Sequence, residues 1–191
     1  MNNSSMLTLT KNMKHYTYVD NSNVFLEGQR VSAVFKGMAP NIYEAMNRDI
    51  KDFSWQPDYG RLHEFLCGTN DCEIGGARLW GSPPPSDSFW RMVERKGFKV
   101  TTYEKSFAGK EKKVDVAIAH QITKDAYTVI DKTNDEINLV AGDKDFVPVV
   151  EDLVAEGFTV IVVFWNHAAP ELKSVATSFI GLDAHLALLS R

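Results

Sequence analysis

Apolar residues recur along this chain with two different periods. Short apolar runs bounded by turn residues are typical of buried strands, whereas apolar residues at every third or fourth position indicate helices. The predicted strands lie at residues 16–19, 77–80, 99–103, 137–141 and 158–165. The predicted helices lie at residues 41–52, 58–67, 86–96, 114–129, 146–156 and 170–179. Strands that alternate with helices predict an α/β fold, a three-layer sandwich with a mainly parallel sheet.

One segment, residues 24–69, departs from strand alternation. It holds two of the predicted helices, separated by the helix breaker Pro57. We interpret it as a helical insertion into a single domain of residues 15–191. Residues 1–14 are rich in Asn, Ser and Thr and are expected to form a disordered leader.

Composition sets the class of protein. A chain of 191 residues that is 44% hydrophobic can bury a substantial core by itself. The two cysteines imply no disulfide framework, and no apolar run is long enough for a membrane span or a signal peptide. We therefore expect a cytoplasmic protein with no membrane partner. The formal net charge of -4 argues against a general polycation for nucleic acid, although a local basic patch can serve that purpose.

Carboxylates follow two of the predicted strands. Residues 20–23 read DNSN after the first strand, and residues 142–146 read GDKDF after the fourth. Because parallel strands end at one edge of the sheet, Asp20 and Asp143 should converge there, with Asp115 in the first turn of a helix as a third member.

Grouped carboxylates at such an edge predict a Mg²⁺ or Mn²⁺ site, since hard cations prefer oxygen ligands. Asn23 can orient a water molecule or a phosphate there without adding charge. Local roles remain as alternatives. Asp20 and Asn23 can form an Asx turn, Asp145 can cap the following helix, and Asp115 can complement its helix dipole.

Three segments carry a resemblance to a known family. Residues 18–23 read YVDNSN, residues 113–119 read KVDVAIA, and residues 139–148 read LVAGDKDFVP. In order, spacing and strand-to-helix context these segments resemble the NYN domain (LabA-like) family, a branch of the PIN-like nucleases, over roughly residues 16–182. The resemblance implies a Rossmann-like (PIN-like) sandwich, a Mg²⁺- or Mn²⁺-dependent nuclease site, and RNA as the usual substrate.

The resemblance also implies roles for individual residues. Asp20 matches the first metal carboxylate of the family and Asn23 its polar partner, and three later aspartates match further acidic positions. The implied catalytic residues are Asp20, Asn23, Asp115 and Asp143. The implied metal ligands are Asp20, Asp115, Asp143 and Asp145.

The chain departs from the family pattern at several positions. Gln121 and Thr177 stand where the family often has Asp, and Ala141 and Lys144 stand in place of motif serines. Fewer carboxylates leave open a second hypothesis, a catalytically weak or inactive RNA-binding or scaffold module.

A basic segment lies near the acidic motifs. Residues 91–113 contain eight basic residues against three acidic ones, a net charge of +5. This charge can neutralise RNA phosphates, or it can simply belong to a solvated surface. The predicted RNA contacts are Lys110, Lys112, Lys113 and Lys144.

Two other interpretations were weighed. His63, Cys67 and Cys72 suggest zinc, but their spacing matches no standard finger and a buried thiol explains them more simply. Asp20 as the nucleophile of a haloacid-dehalogenase-like phosphatase lacks the second Asp of that signature, because position 22 is Ser. The sequence leaves the oligomeric state open, a homo-oligomer included.

Overall fold

A single parallel sheet forms the middle of the molecule. The computed structural model describes residues 12–68, 73–82, 86–103 and 112–191. Six strands lie in the order β3-β2-β1-β4-β5-β6, and every neighbouring pair is parallel. The strands are β1 (Lys14–Asp20), β2 (Glu73–Gly81), β3 (Lys99–Thr102), β4 (Glu136–Val140), β5 (Thr159–Phe164) and β6 (Ser178–Gly181).

Helices connect the strands. They are α1 (Asn21–Phe35), α2 (Ile42–Asn47), α3 (Tyr59–Cys67), α4 (Asp87–Glu94), α5 (Lys112–Ala126), α6 (Val147–Ala155) and α7 (Pro170–Val175). Two 3-10 turns, Lys144–Phe146 and Asp183–His185, precede α6 and follow β6. Among the described residues, no helix combines the length and the apolar character that a membrane crossing requires.

Each face of the sheet is covered by its own apolar cluster. On one face, residues of α1, α3 and α4 pack with Trp55, Trp90 and Trp165. On the other face, residues of α5, α6 and α7 pack against the strands, with Ile118 and Leu172 completely buried. Strands covered on both sides read as continuous apolar runs, which explains the pattern of β4 and β5. The predicted three-layer α/β sandwich with a parallel sheet is confirmed.

The helical segment that follows β1 is the connection between β1 and its neighbour β2. It begins with α1 at Asn21, a helix that the sequence pattern did not predict, and continues through α2 and α3. These three helices occupy the predicted insertion at residues 24–69. Of the predicted leader, residues 1–11 lie outside the described residues.

The last predicted helix was too long. α7 ends at Val175, and Ala176 already has an extended backbone with φ −71° and ψ 152°. Thr177 then binds Val160 of β5 twice, because its N–H donates to the Val160 carbonyl (2.9 Å) and its hydroxyl accepts from the Val160 N–H (3.1 Å). These bonds align the following residues with β5 as the edge strand β6.

Candidate metal centre

The strand order creates a crevice at one place in the sheet. β1 lies between β2 and β4, so the chain leaves β1 toward one edge and later returns to its other side. In open parallel sheets, ligands bind outside the carboxyl ends of the strands at such a switch point. β1 ends at Asp20 and β4 ends three residues before Asp143.

Asp20 is held by the start of α1. It is the last residue of β1, is only 4% exposed, and acts as the N-cap of α1 by accepting a hydrogen bond from the Asn23 N–H at 3.1 Å. This bond satisfies one of the amide groups that the first turn of a helix leaves unpaired. The Asn23 side-chain amide donates to Oδ2 of Asp143. Asn23 thus connects the ends of β1 and β4.

Asp143 reaches the surface through a tightly packed turn. Gly142 precedes it, and a Cβ atom at Gly142 would lie 2.2 Å from the ring of Phe164. The Gly142 carbonyl accepts a hydrogen bond from the Ala169 N–H at 2.9 Å. The absence of a side chain therefore lets the loops after β4 and β5 pack together. Asp143 itself is exposed at the mouth of the crevice.

Asp115 completes an acidic group with Asp20 and Asp143, which we call the acidic triad. It lies in the first turn of α5 and is half-buried. One carboxylate oxygen from each of the three residues lies within 4.8 Å of the others. Like charges at this spacing repel each other, and a divalent cation that takes oxygen ligands relieves the repulsion. The donor set therefore fits Mg²⁺ or Mn²⁺.

Asp145 is not brought into the acidic triad. It lies in the 3-10 turn that buries Phe146, and its own side chain is exposed. Its alternative role as a helix cap is not seen either, because α6 begins at Val147 and has no side-chain cap. Lys144, in the same turn, is exposed.

The NYN domain family matches residues 18–183, which is most of the chain. The chain belongs to the NYN domain family. That family is part of the PIN-like nuclease superfamily, in agreement with the resemblance found in the sequence.

A solved structure shows the same fold. A protein of unknown function from Vibrio parahaemolyticus superposes on this NYN domain with a TM-score of 0.63 and 19% sequence identity, over 90% of this chain and 93% of that chain. At this identity the likeness concerns the fold alone. No curated protein sequence matches the chain significantly.

Another buried carboxylate, Asp125, lies outside the acidic triad in this NYN domain. It is 4% exposed and accepts hydrogen bonds from the Tyr18 hydroxyl (2.9 Å), the Arg78 Nε–H (3.1 Å) and the Gln121 amide (2.8 Å). Burial, together with the negative charge of Asp125, raises the pKa of Tyr18. Gln121 thus has a hydrogen-bond partner, Asp125, on the same helix. Thr177, another departure from the family pattern, makes hydrogen bonds with Val160 of β5. No sequence pattern predicted this arrangement.

Two cavities flank the acidic triad. The first, of about 680 Å³, lies on the α1 side and includes Asn21 and Ser22, directly after Asp20. The second, of about 610 Å³, lies between α5 and the strands β2 and β3, and includes Val116, directly after Asp115. Neither cavity was predicted from the sequence, because the lining residues of each cavity come from distant segments.

The predicted basic residues are only partly described. Lys96 lines the first cavity, and Lys99 lines the second beside Arg78 and His120. The structure describes only Lys144 in full among the predicted RNA contacts. Lys110 lies outside the described residues, and so do the side chains of Lys112 and Lys113.

Two of the three candidate zinc residues, His63 and Cys67, make packing contacts in the core. The His63 ring packs edge-on against Phe98 at 5.1 Å, and the buried Cys67 thiol lies 3.5 Å from the Thr17 hydroxyl. Burial lowers the pKa of His63 and raises that of Cys67. Cys72 lies outside the described residues. Among the described residues, neither His63 nor Cys67 belongs to a group of possible metal ligands.

Proposed function

We propose that this NYN domain is a metal-dependent ribonuclease that hydrolyses RNA phosphodiester bonds at the acidic triad. One observation carries the proposal, the convergence of Asp20, Asp115 and Asp143 within 4.8 Å at the switch point of the sheet. Membership of the PIN-like nuclease superfamily supports the reaction class.

The residues of the site have distinct proposed roles. Asp20, Asp115 and Asp143 hold a Mg²⁺ or Mn²⁺ ion. When bound, such an ion supplies a water nucleophile at neutral pH and positive charge for the phosphate in the transition state. Asn23 positions two of the carboxylates, because its backbone N–H binds Asp20 and its side chain binds Asp143. Asp145 adds negative charge outside the triad.

RNA is the proposed partner because a basic segment directly precedes Asp115 in the sequence. Within residues 91–113 the net charge is +5, although the whole chain carries -4. We assign contacts with RNA phosphates to Lys110, Lys112, Lys113 and Lys144. Lys99 and His120 of the second cavity extend the polar surface beside Asp115. Such contacts release counterions, so RNA affinity should fall steeply as salt increases.

A cleavage assay tests this function. Purified protein is incubated with end-labelled single-stranded RNA in Mn²⁺, in Mg²⁺ and in EDTA, beside an Asp20→Asn variant. Cleavage that needs the metal and disappears in the variant supports the proposal. Cleavage that persists in EDTA or in Asp20→Asn contradicts it, because a contaminating nuclease would then explain the activity.

An RNA-binding or scaffold module with little turnover is the second candidate. The observation that favours it is the position of Gln121 and Thr177, which make structural hydrogen bonds with Asp125 and Val160 where the family often has acidic residues. Filter binding at several salt concentrations separates the two candidates. RNA that is bound in a salt-dependent manner but never cut with either metal establishes the module.

A further inference from the structure

The first cavity shares a wall with the acidic triad. Asn21 and Ser22 line the cavity and directly follow Asp20. On its other side lies Ser82, two residues after Trp80, which pairs with Asp20 in the sheet. The cavity therefore opens at the same carboxyl edge as the triad. An RNA strand whose phosphate lies at the triad brings its neighbouring nucleotide to this opening.

The walls of the cavity are mainly apolar and aromatic. Phe25 and Leu26 come from α1, and Phe89 and Met92 come from α4. Phe89 is half-buried, and its ring meets Tyr59 edge-on at 5.5 Å, which fixes its orientation. Flat aromatic surfaces stack on nucleobases, at about 1–3 kcal/mol per base. A volume of about 680 Å³ is typical of small-ligand sites, roughly 300–1,000 Å³.

A few polar groups interrupt this apolar lining. Asn21 and Ser82 are each only 8% exposed. The Asn21 Oδ1 accepts a hydrogen bond from the Tyr59 hydroxyl at 2.7 Å, which turns the amide and leaves its N–H groups as donors. Two nearly buried polar groups in an aromatic cavity suit the hydrogen-bonding edge of a base.

The lining of the cavity includes two cationic residues, Lys96 and Arg191, and one aspartate, Asp58. Asp58 accepts from the Gly60 and Arg61 N–H groups at 2.9 and 3.1 Å, so its carboxylate caps α3. Lys96, which also lines the cavity, is exposed. A nucleotide in the cavity can thus place its base among the aromatic residues and its phosphate near the Lys96 ammonium.

We propose that this cavity binds one nucleobase of the RNA strand, next to the phosphate held at the acidic triad. The inference rests on the proposed ribonuclease function and adds a base-binding subsite to it. Contact with the base, and not only with phosphates, gives the enzyme a preference for unpaired RNA, because a base inside a duplex is not free to enter the cavity.

Occupancy of the cavity is measured directly by methyl NMR. Protein with ¹³C-methyl methionine is titrated with phosphorothioate trinucleotides of each base, and the Met92 signal is assigned by a Met92→Leu variant. The stacked base should displace the Met92 methyl signal upfield by its ring current. A trinucleotide with an abasic central residue is the control and should leave the signal in place.

Variants connect the cavity to RNA recognition. Leu26→Trp fills the cavity, and Leu188→Trp is the matched control, because Leu188 is 51% exposed and lies outside the lining. Leu26→Trp should weaken RNA affinity about tenfold or more, the equivalent of one lost stacking contact. Leu188→Trp should bind as the wild type does. Phe89→Leu removes the ring with little change in volume and serves if Leu26→Trp does not fold.

The outcomes distinguish this inference from the proposed function. RNA that is cut normally, with a silent Met92 signal and equal affinities for all variants, overturns the cavity assignment and leaves the ribonuclease in place. A Met92 response with no cleavage under any metal supports the cavity and overturns the ribonuclease. A wild-type protein that neither binds nor cuts RNA overturns both.

Discussion

Two groups of residues around carboxylates in this NYN domain, the Asp125 network and the acidic triad, differ in the charges that surround each carboxylate. Asp125 is surrounded by three donors, from Tyr18, Arg78 and Gln121. The acidic triad instead brings three carboxylates within 4.8 Å of one another. The first arrangement surrounds one carboxylate with donors, whereas the second concentrates negative charge where a cation can be received.

Burial alone does not distinguish the two arrangements. Asp20 and Asp125 are each 4% exposed, so a search for buried carboxylates would rank them together. Their neighbours differ. A guanidinium and a phenol stabilise the charge of Asp125, whereas two further carboxylates repel the charge of Asp20 when no cation is bound. Substitutions at the two places should therefore have opposite signatures.

The largest effect is expected on cleavage. Asp143→Asn should reduce the rate of RNA cleavage by about 10²- to 10³-fold, because it removes a charged ligand from the triad, while RNA affinity stays nearly unchanged. Asp145→Asn is the matched control, two residues away and outside the triad, and should lose less. Single-turnover kinetics measure both. Equal losses at the two positions would mean that the triad is not the special feature.

Metal should stabilise the triad but not the Asp125 network. At a Mn²⁺ concentration of about 100 times the dissociation constant, the free energy of unfolding should rise by about 2.7 kcal/mol. Asp143→Asn should be slightly more stable than the wild type without metal and should respond less to Mn²⁺. Thermal melts with Mn²⁺ and with EDTA test this. Melting temperatures that are insensitive to both changes contradict the metal assignment.

The reverse signature is expected at Asp125. Asp125→Asn should lower the free energy of unfolding by about 2 kcal/mol, because Arg78 and Tyr18 lose their charged acceptor. The loss is limited because Arg78 is partly open to solvent. The folded variant should keep the wild-type response to Mn²⁺. Urea unfolding gives the first quantity and a metal titration the second. A variant as stable as the wild type would show that the three donors find other partners.

The smallest effect concerns stability in acid and involves another buried carboxylate, Asp52. Burial raises the pKa of Asp52, but hydrogen bonds from Lys36, Ser32 and Ser54 outweigh it and hold the pKa below its ordinary value. The contribution is therefore complete above the unfolded pKa of about 3.9 and is lost as the pH falls through the lower folded value.

Replacing Asp52 tests that sign. Asp52→Asn should remove about 1 kcal/mol of stability at neutral pH, with less loss in acid. Urea unfolding at a series of pH values between neutral and acid measures the difference between variant and wild type. A difference that grows as the pH falls would reverse the expected sign.

The sequence predicted the parts of the molecule that depend on local pattern. The largely apolar runs of β1, β4 and β5 reflect strands that are covered on both faces, so they stand out without any tertiary information. α1 follows β1 with no intervening loop, and its N-cap Asp20 was interpreted from the sequence as part of a turn or of a metal site. β6 has only four residues at the sheet edge, and its pairing depends on Thr177 and Val160, which are distant in sequence.

Prediction of the site met the same limit. Asp20 and Asp143 were expected to converge because parallel strands share an edge. Their neighbour Asp145 was grouped with them because it matches a later acidic position of the family, but it is exposed in a 3-10 turn and lies outside the acidic triad. The donors of Asp125 come from β1, β2 and α5, a combination that only the folded chain reveals.

The hydrogen bond between Asn23 and Asp143 joins two parts of the candidate site that are synthesised at different times. The two residues are 120 positions apart in sequence. During translation, Asp20, Asn23 and later Asp115 leave the ribosome well before β4 and Asp143 are available to pair with them. A nascent chain that stops before β4 therefore lacks Asp143, and the acidic triad can form only after most of the domain has been synthesised.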